Sequence, residues 1–127
     1  MAKILVIDDN QSMCDMLKLA LENEGHRVVT TDNGEEAVAH YCEDPADLII
    51  TDIFMPIKDG IEIILELQGR FSDLRIIVIS GGGSTGVGTE DVFVAAREFG
   101  AEYVFNKPFK VEKLLEAVKK LLKKSNH

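Results

Sequence analysis

The sequence predicts a doubly wound α/β protein, a five-stranded parallel sheet with helices on both faces. Two observations carry that expectation. Short apolar runs alternate with helical patterns from one end of the 127 residues to the other. The runs ILVI, LII and IIVI are apolar at consecutive positions, as expected of strands covered on both sides. No repeat, low-complexity linker or composition break marks a second domain, so residues 1–127 read as one domain. That length can bury most of its unfolded surface without staples.

The elements follow in order. Lys3 to Ile7 is a first strand, ending abruptly at Asp8-Asp9-Asn10. Gln11 to Glu24 places Met13, Met16, Leu17, Ala20 and Leu21 at three- and four-residue spacing, and Gly25 stops that helix. His26 to Thr31 is a second strand, and Asn33 to Cys42 a helix with Ala37, Val38 and Tyr41 on one side. Ala46 to Thr51 is a third strand leading to Asp52. Met55-Pro56 and Asp59-Gly60 mark a loop before a helix carrying Ile61, Ile64, Leu65 and Leu67. Arg75 to Ser80 is a fourth strand, followed by the glycine-rich run Gly81–Gly88. Val92 to Phe99 is helical and stopped by Gly100, Tyr103 to Asn106 is a short fifth strand, and Val111 to Lys124 is a last helix. Val111, Leu114, Leu115, Val118, Leu121 and Leu122 form its apolar face.

Charge and composition exclude several functions. The net charge is −8, from 14 basic and 22 acidic side chains. Residues 1–106 sum to −13 and residues 107–127 to +5. An acidic body repels phosphate backbones, so no nucleic-acid partner is expected, and the lysines of the last helix read as a solvated face. No stretch approaches the roughly 18 consecutive apolar residues of a membrane span, and residues 1–20 do not resemble a secretory signal. Cys14 and Cys42 show no metal-ligand spacing and read as reduced packing residues. The expectation is a cytoplasmic protein without a membrane partner.

In open α/β sheets ligands bind beyond the carboxyl ends of the strands. Those ends carry Asp8 and Asp9, Asp52, Ser80 and Lys107. One aspartate after a strand is commonly a helix cap, but a cap needs only one carboxylate. Brought together, the three acids would repel and recruit a cation, and an all-oxygen ligand set favours Mg²⁺. A carboxylate beside such an ion can attack phosphorus to give an acyl phosphate. Lys107 offers an ammonium and Ser80 a hydroxyl to the phosphoryl oxygens.

These residues resemble the receiver domain of two-component response regulators. KILVIDD, TDIFMPIKDG, VIS and GAEYVFNKPF carry the likeness across essentially the whole chain. The resemblance implies a flavodoxin-like (βα)5 fold with strand order 2-1-3-4-5. It implies Asp52 as phospho-acceptor, and Mg²⁺ (or Mn²⁺) held by Asp8, Asp9, Asp52 and the Phe54 backbone carbonyl. Lys107 would contact the phosphoryl group, its bond to Pro108 would be cis, and Ser80 would swing toward the phosphate on activation. A histidine kinase or phosphotransfer protein would supply the phosphoryl group. Output would be by docking, commonly through the 92–99 helix, the fifth strand and the last helix, with a phosphorylation-dependent dimer as one form. Such a domain is a switch rather than an enzyme, catalysing only its own phosphorylation and dephosphorylation.

Three departures stand out. The aromatic switch residue expected three positions before the lysine is replaced by Val104, while Tyr103 shares a strand face with Phe105. The run Gly81–Gly88 is longer than the usual segment and lacks the GK[ST] ending of a P-loop. Phe54 and Gly82 stand where many relatives carry polar residues that orient water, which implies a long-lived aspartyl phosphate. Competing functions are a degenerate docking module needing no phosphorylation, a Mg²⁺-dependent phosphohydrolase and a flavin-binding electron carrier. The hydrolases that resemble haloacid dehalogenases want Asp-x-Asp after the first strand, and a flavin carrier wants a phosphate-binding loop there. This chain has two adjacent acids.

Overall fold

The computed structural model describes residues 2–52, 60–71, 74–80, 100–106 and 108–124. Five strands, β1 (Lys3–Ile7), β2 (Arg27–Thr31), β3 (Leu48–Asp52), β4 (Ile76–Ser80) and β5 (Tyr103–Asn106), form one sheet. Every pairing is parallel and the order is β2-β1-β3-β4-β5. Four helices are described: α1 (Gln11–Asn23), α2 (Gly34–Glu43), α3 (Gly60–Gln68) and α4 (Val111–Lys124). The predicted helix over Val92–Phe99 and the run Gly81–Gly88 lie outside the described residues.

Strand alternation divides the core in two. Leu5, Ile7, Ile49, Ile76 and Val78 pack with Ala37, Val38 and Tyr41 of α2 and Ile63, Ile64 and Leu67 of α3. On the other side Ile4, Val6, Leu48, Ile50, Ile77 and Ile79 pack with Cys14, Leu17 and Leu21 of α1 and Leu114, Val118 and Leu121 of α4. All five residues of β3 and of β4 are buried, which is why their sequences read as unbroken apolar runs.

Helix ends follow local chemistry. Asn10 caps α1 by accepting from the Met13 amide at 3.2 Å. At the other end His26 N donates to Leu21 O and Gly25 N to Glu22 O, the two bonds of a Schellman motif, with Gly25 at φ 92°. His26 therefore completes the turn, and β2 starts one residue later than the sequence predicts. Asn33 likewise caps α2 instead of beginning it, accepting from Glu36 N at 2.8 Å.

Three apolar faces differ from expectation: in α3 Ile63 is buried and Leu65 is 48% exposed. In α1 the buried stripe is Cys14, Leu17 and Leu21, while Met16 is 37% exposed. In α4 Ala117 joins Leu114, Val118 and Leu121 at the core, and Val111, Leu115 and Leu122 are only half-buried. Both cysteines are free, but only Cys14 is a packing residue; Cys42 is exposed and its sulfur accepts from Arg70 Nη1 at 3.2 Å. Among the described residues no helix is long and apolar enough to cross a membrane.

Candidate functional site

Register builds the site at the carboxyl edge of the sheet. Ile7 pairs with Thr51, so the next residues on the two central strands, Asp8 and Asp52, stand side by side. Alternation places both on the α1–α4 side, in line with Ile4 and Val6 on one strand and Leu48 and Ile50 on the other. The Asp8 amide extends the ladder by donating to Thr31 O at 3.1 Å. Asp9 follows on the turn into α1. Carboxylate oxygens of Asp8, Asp9 and Asp52 all lie within 4.8 Å of one another.

The three acids meet water differently. Asp8 and Asp52 are buried, at 1% and 5% exposure, whereas Asp9 is exposed. The cluster is thus closed below by apolar core and open above. Capping does not account for it, because the cap of α1 is Asn10. One Asp8 oxygen, Oδ1, accepts from the Asn10 amide at 2.9 Å, and a carboxylate has about four lone-pair directions in all. The donor set is hard oxygen at close range, and it fits a small divalent cation such as Mg²⁺. The nearby Cys14 thiol donates to the Asp8 carbonyl at 3.3 Å. Burial, reinforced by the charge of Asp8, pushes its pKa up to about 11, so it stays protonated and offers no thiolate.

Ser80 ends β4 with no exposed surface, and among the described residues its hydroxyl has no hydrogen-bond partner. Asp52 pairs with Ile79, so Ser80 lies one residue further along and, by alternation, on the opposite face. Val104 pairs with Val78 and packs half-buried on the α2–α3 side. Tyr103 and Phe105 pack on the other side, their rings stacked with centroids 6.4 Å apart, and Phe109 continues the row at 5.9 Å. Tyr103 is therefore committed to its neighbours on that face. Phe54, Gly82, Lys107 and the Lys107–Pro108 bond lie outside the described residues, and Pro108 itself is exposed.

Two features of the site were not read from the sequence, one of them legible there and the other not. Asn10 as cap was open to recognition, since Asn directly before a helix is a strong N-cap signal. Nothing in one sequence distinguishes a thiol that bonds a strand-end carbonyl from one that merely fills space.

Known proteins point the same way. The family model for the response regulator receiver domain matches residues 4–119. Response regulator MprA of Mycobacterium tuberculosis (strain ATCC 25177 / H37Ra) is 32% identical over 123 residues, covering 97% of this chain and 51% of its own length. Chemotaxis protein CheY of Bacillus subtilis (strain 168) is 36% identical over 121 residues, covering 94% of this chain and 97% of its own length. The chain thus spans about half of MprA and nearly all of CheY. The crystal structure of response regulator protein TrrA from Thermotoga maritima, in complex with Mg²⁺-BeF, superposes with a TM-score of 0.82 at 33% identity, covering 95% of this chain and 99% of that one.

Proposed function

The chain belongs to the response regulator receiver domain family, and from that premise we propose that it is a phosphorylation-activated signalling switch whose phospho-acceptor is Asp52. One observation carries the reading: a buried carboxylate at the end of a central strand, with two more carboxylates within 4.8 Å. Asp52 is held at the floor of the cluster, with its backbone on the β3–β4 ladder and its strand packed on both faces. Such rigidity fixes the direction from which an oxygen can approach phosphorus in line.

Asp8, Asp9 and Asp52, with the Phe54 backbone carbonyl, would hold Mg²⁺ (or Mn²⁺), which supplies charge neutralisation for the phosphoryl oxygens. In the transfer, an Asp52 carboxylate oxygen forms a bond to phosphorus. The phosphorus–nitrogen bond of a phosphohistidine donor breaks, and its electron pair leaves with the imidazole. A histidine kinase or phosphotransfer protein is that donor. Lys107 neutralises a phosphoryl oxygen, and the Ser80 hydroxyl, unpartnered among the described residues, turns to donate to another. Val104, small and aliphatic, leaves room for Ser80 to move without an accompanying ring. The product is a signalling state that acts by docking a protein target, in the cytoplasm, without binding nucleic acid or membrane. Residues 1–127 function as one domain that turns over no external substrate, and phosphorylation-dependent dimerisation is a form its output can take.

Intact mass spectrometry tests the reading. With Mg²⁺ and a small phosphodonor such as acetyl phosphate, the wild type should gain one phosphoryl group and Asp52→Asn none. A wild type that gains nothing would favour a docking module that needs no phosphorylation. Steady release of inorganic phosphate from a generic phosphate ester would favour a phosphohydrolase.

A further inference from the structure

We propose that Cys14 is a positioning residue for the acidic cluster, its thiol holding the peptide that joins Asp8 to Asp9. The inference rests on the reading of Asp8, Asp9 and Asp52 as a cation site. Cys14 lies four residues past the cap of α1, is 2% exposed, and packs in the core shared by β1, β3, α1 and α4. From there its sulfur reaches the Asp8 carbonyl at 3.3 Å. That carbonyl belongs to the one peptide plane between the two acids. Its orientation therefore sets how the Asp8 and Asp9 side chains diverge. A second bond, from the Asn10 amide to Asp8 Oδ1 at 2.9 Å, fixes the Asp8 carboxylate itself. Backbone and side chain of the turn are thus clamped separately, the first by Cys14 and the second by Asn10.

The alternative for a buried cysteine is a small apolar filler. The two roles separate on substitution. Ala and Val both remove the donor, but Val still fills the site, exceeding Cys by about one methyl group, so a packing role leaves Mg²⁺ affinity intact in Val and a positioning role does not. Outer partners of metal ligands typically change affinity by 10- to 100-fold. A thiol is a weak donor, so the loss expected here is at the low end, about tenfold.

Isothermal titration of the full chain with MgCl₂ is the test, with urea unfolding of each variant as a check that it is folded. Cys14→Ala and Cys14→Val should both bind Mg²⁺ about tenfold more weakly than wild type, with Val losing less stability. Cys14→Ser, which retains a donor, should stay within about threefold of wild type. Wild-type affinity in Cys14→Val overturns the positioning role and leaves the cation site standing. Absence of Mg²⁺ binding in the wild type overturns the cation site and this inference with it. If Cys14→Ala does not fold, the comparison of Val with Ser decides.

Discussion

Replacing Asp9 by Asn removes one charge from the cluster without removing a core side chain. The Asp9 carboxylate lies within 4.8 Å of those of Asp8 and Asp52. Two unit charges at that separation repel by about 3.5 kcal/mol at an effective dielectric of ~20, and by about 0.9 kcal/mol in bulk water. Asp9 is exposed, so the watery limit governs. With two neighbours, the metal-free protein should gain about 1–2 kcal/mol of stability from Asp9→Asn. Cation binding works in the opposite direction. At a Mg²⁺ concentration one hundred times Kd the wild type should gain about 2.7 kcal/mol, and a tenfold loss of affinity would cut that gain to about 1.4 kcal/mol. Urea unfolding followed by circular dichroism, in EDTA or in MgCl₂ at matched ionic strength, measures both terms. The expected pattern is a narrowing: Asn is higher in EDTA by about 1–2 kcal/mol, and its Mg²⁺ response is about half that of wild type, so its advantage shrinks by about 1.3 kcal/mol. Equal responses to Mg²⁺, together with an Asn variant no more stable in EDTA, would refute the electrostatic reasoning.

Other expectations follow from single features. Gly25→Ala places a side chain at φ 92° in the Schellman turn that closes α1 and should cost about 1–2 kcal/mol by urea unfolding. Burial holds the pKa of His26 below its usual 6.5, so the folded state binds fewer protons than the unfolded chain in that range. The stability this contributes is complete above about pH 6.5 and is lost as pH falls through the folded-state value. Unfolding midpoints at pH 7.5 and 5.5 should therefore converge in His26→Gln relative to wild type. With Phe54 and Gly82 in place of polar residues, the aspartyl phosphate should persist for minutes or longer by intact mass; decay within seconds would contradict that.

How much of this was legible in the sequence depended on what each residue type can do alone. β1, β5 and α4 lie where the sequence puts them, because an unbroken apolar run or a sustained 3.6-residue period has few other solutions. Boundaries moved where a backbone bond decided them. His26 was drawn out of β2 by Leu21 O, and Asn33 out of α2 by its own side chain. Met16, on the stripe read from the sequence, is exposed, while Cys14 is buried as a packing residue, because periodicity alone does not fix which neighbouring positions face the sheet. The site was legible as a set of strand-end residues, and parallel register explains why Asp8 and Asp52 are brought together. The Cys14 bond to Asp8 was invisible, since it depends on the pitch of a helix relative to a strand end.

The most direct measurement is peptide mapping of the protein after incubation with a small phosphodonor, with borohydride used to reduce the acyl phosphate. A Mg²⁺-dependent conversion of Asp52 to homoserine, with Asp8 and Asp9 unchanged, is the expected result. Modification at another acid, or the same yield in EDTA as in Mg²⁺, would contradict it.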